Sequence, residues 1–580
     1  MTRAPIADRL ARLGVRRLLL AIHDVSFPSD PDEDIGRGSP ATAAAARLFA
    51  YAKSLGFTGI QLGPQGQTSR SNPSPYDSTI FGRHVGNIGI ASLRAGGAFE
   101  GLVDFAHVTA RASDARAHHR EAFDTMHALV DAAWRAHRAG ARADLTPQLA
   151  AFRTANAAWL EREALYLAIC AQHGGHGFRS WPDAVRDLWL RGDRSRTDAL
   201  VAAHADVIDR HAFGQFLVHQ EHRRVRQQAA RVGLALYGDL QVGYADADAW
   251  AYAPVFRRDY VMGAPPSRTN PEGQPWGYPV LDPAQYDGAA KALVLARAEK
   301  AFAEYDSLRI DHPHGLICPW VYRADDPDPT CAVRAGARLF ESPDLEDHPA
   351  LAPLSIARAV QIDRSQPRYA DRWVRLLDAD QIDRYAALFD ALVASARANG
   401  REASDLSCEV LSTMPTPLEA VLARYDLGRW RITQKANLAD PDDVYLADNA
   451  MRQDWVMLGN HDTAPIFALL HEWVPAKREQ WARHLVQRLR LPRPERLTSD
   501  GYFASAMLAE LLLSRAENVS IFFADLFGIA ERFNVPGLVD DANWSLRLPA
   551  SWQDARADKL ARGQALDLEL AADLALAAIN

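Results

Sequence analysis

Short runs of apolar residues recur along the chain, and each run ends in a polar or charged residue. Continuous runs rich in Leu, Ile and Val are typical of strands that are buried on both faces, as in a parallel sheet. The pattern therefore predicts strands within the segments 16–24, 56–64, 233–242, 306–313, 405–412, 429–434, 455–463 and 518–528.

Segments with helical periodicity precede most of these runs. The segments 41–56 and 223–233 both end in glycine, a residue that lets a helix stop and the chain turn into the next strand. Alternating helices and strands predict a parallel sheet with right-handed connections. Eight such units favour a closed (β/α)8 barrel. An open doubly wound sheet is the alternative, but no glycine-rich phosphate-binding turn follows the first run.

Two long segments interrupt this alternation. Residues 95–215 are Ala-rich and helical in period, and residues 325–400 combine a Pro/Asp-rich loop with helical stretches. We predict one catalytic barrel over 1–580, with 95–215 as a mainly helical insertion after strand two and 325–400 as an insertion between strands four and five. Both would lie on the C-terminal face, where the loops of a barrel form the active site.

Charge and composition narrow the class of protein. The 65 basic and 73 acidic residues give a formal charge of −8, which argues against nucleic acid or an anionic membrane as a partner. No apolar run is long enough for a membrane span, and the stretch 18–22 is too short for a signal peptide. The four cysteines form no C-x-x-C pair, which argues against zinc. We expect a cytoplasmic protein.

Polar side chains close several of the predicted strands, and strand ends converge at one mouth of a barrel. Arg309 and Asp311 point the same way because they are two residues apart on one strand, and a guanidinium keeps a neighbouring carboxylate ionised, as a nucleophile requires. Glu409, in a drier setting, could stay protonated as an acid. Two such carboxyl groups about 5 Å apart are typical of retaining glycosidases. The strand-end set is Asp239, Arg309, Asp311, Glu409, His461 and Asp462.

The same residues admit other interpretations. An Asp at a strand end often caps a helix, and an R-x-D pair is often a structural ion pair. A metal-dependent barrel hydrolase could use His23, Asp24, His312 and His461 as ligands. The HGGHG stretch at 173–177 could also be a metal-binding tract, although a structural loop is favoured.

Motifs in order along residues 16–550 resemble those of glycoside hydrolase family 77. LRIDHPHG at 308–315 resembles the R-I-D-H signature of the α-amylase clan in the form that this family uses. The resemblance implies a (β/α)8 barrel and 4-α-glucanotransferase (amylomaltase) activity. Further segments similar to family motifs are 74–90, 159–182, 227–252, 264–282, 459–463 and 532–548.

The resemblance also implies a role for each matching residue. Asp311 matches the nucleophile, Glu409 the acid/base, and Asp462 the third carboxylate, which stabilises the transition state. Arg309 matches the arginine that orients the nucleophile, and Tyr76 matches an aromatic residue near the donor site. The substrate-binding residues implied in this way are Arg309, His312, His461, Asp239, Tyr76, Ser74, Trp276 and Gln274.

The implied reaction is a retaining transfer through a covalent glycosyl-enzyme. An α-1,4-glucan segment moves from a donor maltooligosaccharide to the 4-OH of an acceptor. No metal and no organic cofactor are expected, because carboxylates supply the nucleophile and the proton transfers. The alternatives are an α-glucan or α-glucoside hydrolase, a transglycosylase with an altered acceptor, and a non-catalytic glucan-binding barrel.

Several positions depart from the family pattern. Ser267 and Val410 stand where the pattern has Asp, and Tyr278 stands where it has Asn. Asn460 replaces a Thr, and His314 replaces an Arg. Because the core catalytic residues match while their surroundings differ, we expect the same chemistry with an altered choice of donor or acceptor. The altered 264–282 loop and the 325–400 insertion are predicted to reshape the acceptor side.

Overall fold

A strand forms within each apolar run that the sequence pattern marks. The computed structural model describes residues 4–94, 99–105, 108, 111–268, 270–538 and 540–579, so the predicted insertion at 95–215 begins outside the described residues. The strands of the described chain are β1 (Arg17–Ala21), β2 (Gly59–Gln61), β3 (Ala235–Leu240), β4 (Phe256–Ala264), β5 (Gln274–Leu281), β6 (Ser307–Ile310), β7 (Trp320–Arg323), β8 (Ala337–Arg338), β9 (Leu406–Cys408), β10 (Trp430–Ile432), β11 (Trp455–Met457) and β12 (Asn518–Phe522).

Eight of these strands pair in parallel to form the predicted barrel. Their order is β10-β11-β12-β1-β2-β3-β6-β9. The two ends of this order meet through a hydrogen bond of 3.0 Å from the Trp430 amide to the Val410 carbonyl, just beyond β9. The (β/α)8 fold class is therefore confirmed, and the strand ends face one mouth.

Helices cover the outside of the barrel and fill its long connections. Two of them end as predicted, with Gly56 and Gly233 following them in the left-handed conformation at φ +87° and +76°. None of the described helices is both long and apolar enough to cross a membrane. The helices are α1 (Ile6–Arg12), α2 (Ala43–Ser54), α3 (Ile90–Leu93), α4 (His119–Arg138), α5 (Thr146–Gln172), α6 (Asp183–Arg186), α7 (Leu188–Arg191), α8 (Arg194–Ala203), α9 (Ala205–Arg231), α10 (Asp246–Ala251), α11 (Ala289–Glu304), α12 (His314–Ile317), α13 (Pro329–Arg334), α14 (Ala379–Ala398), α15 (Thr416–Arg424), α16 (Ile466–Glu472), α17 (Pro475–Leu489), α18 (Asp500–Leu512), α19 (Phe523–Leu526), α20 (Trp552–Ala561) and α21 (Leu568–Ile579).

A second, antiparallel sheet was not predicted from the sequence. Its order is β5-β4-β7-β8, and all four strands are inserted between barrel strands β3 and β9. The apolar-run criterion missed β4 and β5 because both are only half-buried, and β5 contains two prolines. This sheet carries the 264–282 segment to the barrel mouth.

The long connection after β2 has a small apolar core of its own. Met126 and Trp134 on α4 pack with Phe213 and Phe216 on α9 within this core. The bounds of the helical insertion, and the bounds of the 325–400 insertion, stay predictions.

Glu163 on α5 links this helical segment to the barrel. A carboxylate oxygen lies 3.5 Å from the Thr79 hydroxyl and 3.7 Å from Nε2 of His211. Burial, with a smaller contribution from the nearby Asp248 carboxyl, raises the pKa of Glu163 to about 8. The folded protein therefore holds a proton at Glu163 that the unfolded chain releases at a lower pH.

This proton makes the stability contribution of Glu163 fall as the pH rises. Between the unfolded pKa near 4.5 and the folded pKa near 8, the folded state binds more protons than the unfolded state. We expect the difference in unfolding free energy between wild type and Glu163→Gln to change by about 1 kcal/mol per pH unit, in favour of the variant as the pH rises. Denaturant titrations across this range measure it, with Glu495→Gln as an exposed control. The same pH dependence in wild type and Glu163→Gln would contradict the prediction.

Candidate active site

Arg309 on β6 is the centre of a buried cluster at the barrel mouth. Its Nη1 donates hydrogen bonds to Asp239 Oδ2 at 2.5 Å and to the Tyr76 hydroxyl at 3.1 Å. Its Nη2 donates to Asp311 Oδ1 at 3.0 Å and lies 2.7 Å from Glu409 Oε2. One guanidinium thus holds three carboxylates that come from three neighbouring strands.

Strand register explains why these side chains meet. Asp239 on β3 lies opposite Arg309 on β6, and Arg309 lies opposite Ser407 on β9. Glu409 therefore leaves the barrel wall at the level of Asp311, two residues beyond each of these β6 and β9 positions. Parallel strands in register bring such residues to one height at the mouth.

Both oxygens of the Asp311 carboxylate are fixed. Oδ1 accepts the hydrogen bond from Arg309, and Oδ2 accepts one of 3.0 Å from the Val242 amide. Hydrogen bonds to both oxygens fix the direction in which the carboxylate points. This environment suits a carboxylate nucleophile.

Glu409 is enclosed but keeps one oxygen free. Its Oε2 contacts Arg309 and lies 3.1 Å from Nδ1 of His312. Its Oε1 has no hydrogen-bond partner among the described residues. One oxygen of Glu409 and one of Asp311 lie within 4.8 Å of each other. This spacing matches the carboxyl pair of a retaining glycosidase.

The ionisation of Glu409 differs from the sequence-based expectation of a protonated acid. Burial alone would raise the pKa of Glu409, but the charge of Arg309 and the hydrogen bond from His312 hold it well below its usual range. His312 reaches both carboxylates because its backbone is left-handed, with φ +41°. Burial opposes the charge on His312, but Asp311 and Glu409 outweigh it and raise the His312 pKa to about 10. In the free protein, therefore, His312 is protonated and Glu409 is ionised.

Asp462 and His461 lie across the mouth, after β11. Asp462 Oδ1 accepts a hydrogen bond of 2.6 Å from the Asn534 side chain. His461 stacks on Tyr76, with ring centroids 5.2 Å apart and an interplanar angle of 18°. Trp544 packs beside both rings. Sequence reasoning gave Asn534 no role, although it lies within the 532–548 motif.

An open cleft of about 490 Å³ lies above this cluster. Asp239, Arg309 and Glu409 lie deeper, beneath its floor, and Asp239 is held there with a pKa that burial raises to about 7. The other residues predicted for the site line the cleft: Ser74, Tyr76, Gln274, Trp276, Asp311, His312, His461 and Asp462.

Trp276 and Gln274 reach the cleft from β5 of the second sheet. The Trp276 indole donates a hydrogen bond of 2.8 Å to Gln274 Oε1. The same indole packs edge-on against His312, with centroids 5.0 Å apart and an angle of 82°. The unpredicted sheet thus supplies one wall of the site.

The positions that depart from the family pattern surround the cluster. Tyr278 donates a hydrogen bond of 2.8 Å to Asp77, and Asn460 accepts one of 3.1 Å from the Asp462 amide. His314 lies 3.2 Å from the Thr413 carbonyl. Val410 is buried in the barrel wall.

The metal-site interpretation finds little support in this geometry. Among the described residues, the one group of three close-set candidate ligands is Asp311, His312 and Glu409, which omits His23, Asp24 and His461. Nη2 of Arg309 already contacts Asp311 Oδ1 and Glu409 Oε2 within this group. A fixed guanidinium opposes a divalent cation at the same oxygens.

Replacing Arg309 by Met is expected to destabilise the fold and abolish activity. The change leaves three buried carboxylates without their shared cation, and breaking a buried ion pair costs about 3–5 kcal/mol. Chemical denaturation measures the loss. Arg323→Met, which breaks an exposed pair with Asp325, should stay within about 0.5 kcal/mol of wild type. A stable Arg309→Met protein would show that the cluster is held by other contacts.

Curated relatives align with parts of this chain. The 4-alpha-glucanotransferase of Thermus thermophilus is 31% identical over 186 residues, which cover 31% of this chain and 36% of that protein. The 4-alpha-glucanotransferase DPE1, chloroplastic/amyloplastic, of Oryza sativa subsp. japonica is 30% identical over 170 residues, covering 28% of each chain. The aligned parts span about a third of the length of these relatives.

Two solved structures share the whole architecture. Amylomaltase from Streptococcus agalactiae in complex with acarbose superposes with a TM-score of 0.73 at 17% identity, covering 97% of this chain and 99% of that chain. Amylomaltase from Corynebacterium glutamicum gives a TM-score of 0.65 at 15% identity, covering 98% and 76%. At these identities the likeness establishes the fold alone.

A family model accounts for most of the sequence. The model of glycoside hydrolase family 77, described as 4-alpha-glucanotransferase, matches residues 22–552. The matched range begins directly after β1, continues past β12 and contains all the residues of the cluster and the cleft. The chain therefore belongs to glycoside hydrolase family 77.

Proposed function

We propose that this protein is a retaining 4-α-glucanotransferase. It moves α-1,4-glucan segments from a donor maltooligosaccharide to the 4-OH of an acceptor. The observation that carries the proposal is the pair of Asp311, which lines the open cleft, and Glu409, which lies beneath its floor, with carboxylate oxygens within 4.8 Å of each other. Asp311 is the nucleophile, Glu409 the acid/base, and Asp462 the carboxylate that binds sugar hydroxyls.

In the first step, Asp311 attacks the anomeric carbon of the donor. The bond from that carbon to the glycosidic oxygen breaks, and Glu409 gives its proton to the departing oxygen. Glu409 is ionised in the free protein, so it must gain a proton as the donor binds. Displacing His312 from Glu409 Oε2 would remove one of the groups that keep its pKa low.

In the second step, the acceptor hydroxyl attacks the anomeric carbon from the face opposite the bond to Asp311. Its proton passes to Glu409, and the bond to Asp311 breaks. The result is an α-linked product with the original anomeric configuration. Transfer exceeds hydrolysis when the acceptor hydroxyl, rather than water, occupies the position beside Glu409.

The cleft suits a sugar chain. Its walls combine flat rings, Tyr76 and Trp276, with hydrogen-bonding groups such as Ser74, Gln274 and Asp462. Aromatic faces pack on sugar rings, while the polar groups bind hydroxyls. Substrates of the α-1,4-glucan and maltooligosaccharide class therefore fit this surface. The cytoplasmic location stays a prediction.

The test is transfer to a labelled acceptor. Purified protein is incubated with maltoheptaose and carbon-13-labelled glucose, and the products are separated by length and mass. Labelled maltooligosaccharides are the expected result. Only unlabelled shortened chains would indicate the alternative hydrolase, and unchanged maltoheptaose would favour a non-catalytic glucan-binding barrel.

A further inference from the structure

Lys435 lies at the barrel mouth and has no ion-pair partner in the part of the chain that the structure describes. It follows β10 in a short turn of 3-10 helix, between the end of β9, which precedes Glu409, and the end of β11, which precedes Asp462. Its side chain is half-buried, and among the described residues its ammonium makes no hydrogen bond and no ion pair. An ammonium that is partly removed from water is stabilised by an anionic partner.

The two carboxylates whose charges act on Lys435, Asp462 and Glu409, each have one oxygen engaged by other groups. Asp462 Oδ1 accepts from Asn534, and Glu409 Oε2 contacts Arg309 and His312. Burial lowers the pKa of Lys435, and although Asp462 and Glu409 oppose this effect, the charge of Arg268 adds to it. Arg268 is therefore a second cation whose charge acts on Lys435.

Arg268 lies in the connection between β4 and β5. This connection and the turn that carries Lys435 are called the rim. Its Nη1 lies 2.5 Å from Oδ2 of the buried Asp443, and its guanidinium lies 5.3 Å from the Tyr445 ring centroid. Asp443 and Tyr445 belong to the connection between β10 and β11. The β4–β5 connection is thereby held against the segment that follows Lys435. Asp443 is committed to Arg268, and about half of the Arg268 side chain stays exposed.

The sequence has lost acidic residues in the rim and next to Glu409. The family pattern has Asp at the positions of Ser267, next to Arg268, and Val410, next to Glu409. The segments that carry Arg268 and Glu409 thus each have one acidic side chain fewer than the family pattern. Fewer acidic side chains make the local charge less negative, and this favours a negatively charged ligand.

We propose that the acceptor is a glucose-type sugar carrying an anionic group, a phosphate or a carboxylate, and that Lys435 and Arg268 bind that group. The inference rests on the proposed transfer reaction. Glu409 takes the proton of the acceptor hydroxyl, so the acceptor lies on the Glu409 side of the mouth. Lys435 follows β10, which pairs with the chain just beyond Glu409, and Arg268 contacts Asp443 in the connection that follows Lys435. The anionic group stays intact, because the bond that forms joins the acceptor oxygen to the anomeric carbon and the bond that breaks is the one to Asp311.

The experiment compares acceptors in competition. Maltoheptaose is supplied with equal amounts of labelled glucose and one anionic sugar: glucose 1-phosphate, glucose 6-phosphate or glucuronate. Product masses give the ratio of transfer to each. We expect at least about a tenfold preference for one anionic sugar, which weakens as ionic strength rises. The three sugars distinguish a phosphate from a carboxylate ligand.

Variants test whether Lys435 causes the preference for the anionic sugar over glucose. Lys435→Met should reduce the ratio at least about fivefold, because it removes the charge and keeps the length of the side chain. Lys435→Arg should retain most of the preference. Lys477→Met, on the outer helix α17, should leave the ratio unchanged. Equal use of glucose and all three anionic sugars by the wild type, or an unchanged ratio in Lys435→Met, would overturn the inference.

A binding measurement separates this inference from the transferase assignment. Titration calorimetry with glucose 6-phosphate, glucose 1-phosphate and glucuronate is performed on Asp311→Asn and on Asp311→Asn/Lys435→Met. Binding that depends on Lys435 supports the anion site even if no acceptor receives label, in which case the transfer function alone fails. Absence of binding by all three sugars refutes the anion site even if transfer to glucose is fast.

Discussion

Asp311→Asn is expected to reduce turnover of maltooligosaccharides on the order of 10⁴-fold or more. An amide cannot form the glycosyl ester on which both steps depend. The fold should survive, because Asn has nearly the same shape and can still accept the hydrogen bond from the Val242 amide. Arg309 keeps its contacts with Asp239 and Glu409. Product formation from maltoheptaose and a thermal unfolding curve together measure the effect.

The control for this variant is Asp325→Asn. Asp325 is exposed and pairs with Arg323 on the second sheet, so its replacement tests an aspartate of the same kind outside the site. It should retain wild-type turnover. Turnover by Asp311→Asn within tenfold of wild type would rule out Asp311 as the nucleophile, provided that mass spectrometry shows no reversion of Asn to Asp.

Glu409→Gln is expected to separate the two steps. With natural glucans, both the proton given to the departing oxygen and the proton taken from the acceptor are lost, and turnover should fall about 10³-fold or more. With maltosyl fluoride, whose leaving group needs little protonation, Asp311 should still form the glycosyl-enzyme. That intermediate should then accumulate, because no base activates the acceptor. Intact-protein mass spectrometry after rapid quenching detects it as one added maltosyl group.

Glu409→Gln removes the charge of the side chain and breaks no hydrogen bond between described residues. Glu409 Oε1 has no partner among the described residues, so an amide group there breaks no internal hydrogen bond, while the amide oxygen can accept from Arg309 and His312. Asp311→Asn is the matched comparison, since it should form no intermediate from the fluoride. Equal losses with glucans and with maltosyl fluoride in Glu409→Gln would contradict an acid/base role.

The two variants also test how Glu409 becomes protonated before the first step. In the free protein the charges of Arg309 and His312 keep Glu409 ionised, which suits the base of the second step better than the acid of the first. A single residue serves both roles only if its surroundings change during the cycle. His312 has a left-handed backbone and a partly exposed side chain against Trp276, and a bound sugar would contact it first.

Much of the fold follows from local pattern. Burial on both faces requires continuous apolar runs, so the eight barrel strands are visible in the sequence as such runs. The direction of side chains on a strand alternates, so the pairing of Arg309 with Asp311 follows from their spacing of two residues. The family resemblance added the activity class, and the family match confirms the membership. The individual roles of Asp311, Glu409 and Asp462 stay predictions.

The second sheet shows where local pattern fails. β4 and β5 are half-buried, and β5 contains prolines, so neither has the continuous apolar character of a barrel strand. β5 pairs with β4, and β4 pairs in turn with β7, which follows β5 only after helix α11 and barrel strand β6. Trp276 and Gln274 reach the cleft from β5 of this sheet, and in the sequence only their motif pointed to the site.

The sequence by itself determined the barrel, its strand ends and the chemical types of the residues gathered there, because periodicity records burial and side-chain direction. Only the tertiary structure decided how those residues act on one another. The contact of Asn534 with Asp462, the ionised state of Glu409 and the unpaired ammonium of Lys435 each depend on groups far apart in the chain. The physical reason is that electrostatic interactions depend on distance and burial, which barrel closure and strand register set, and no local pattern encodes them.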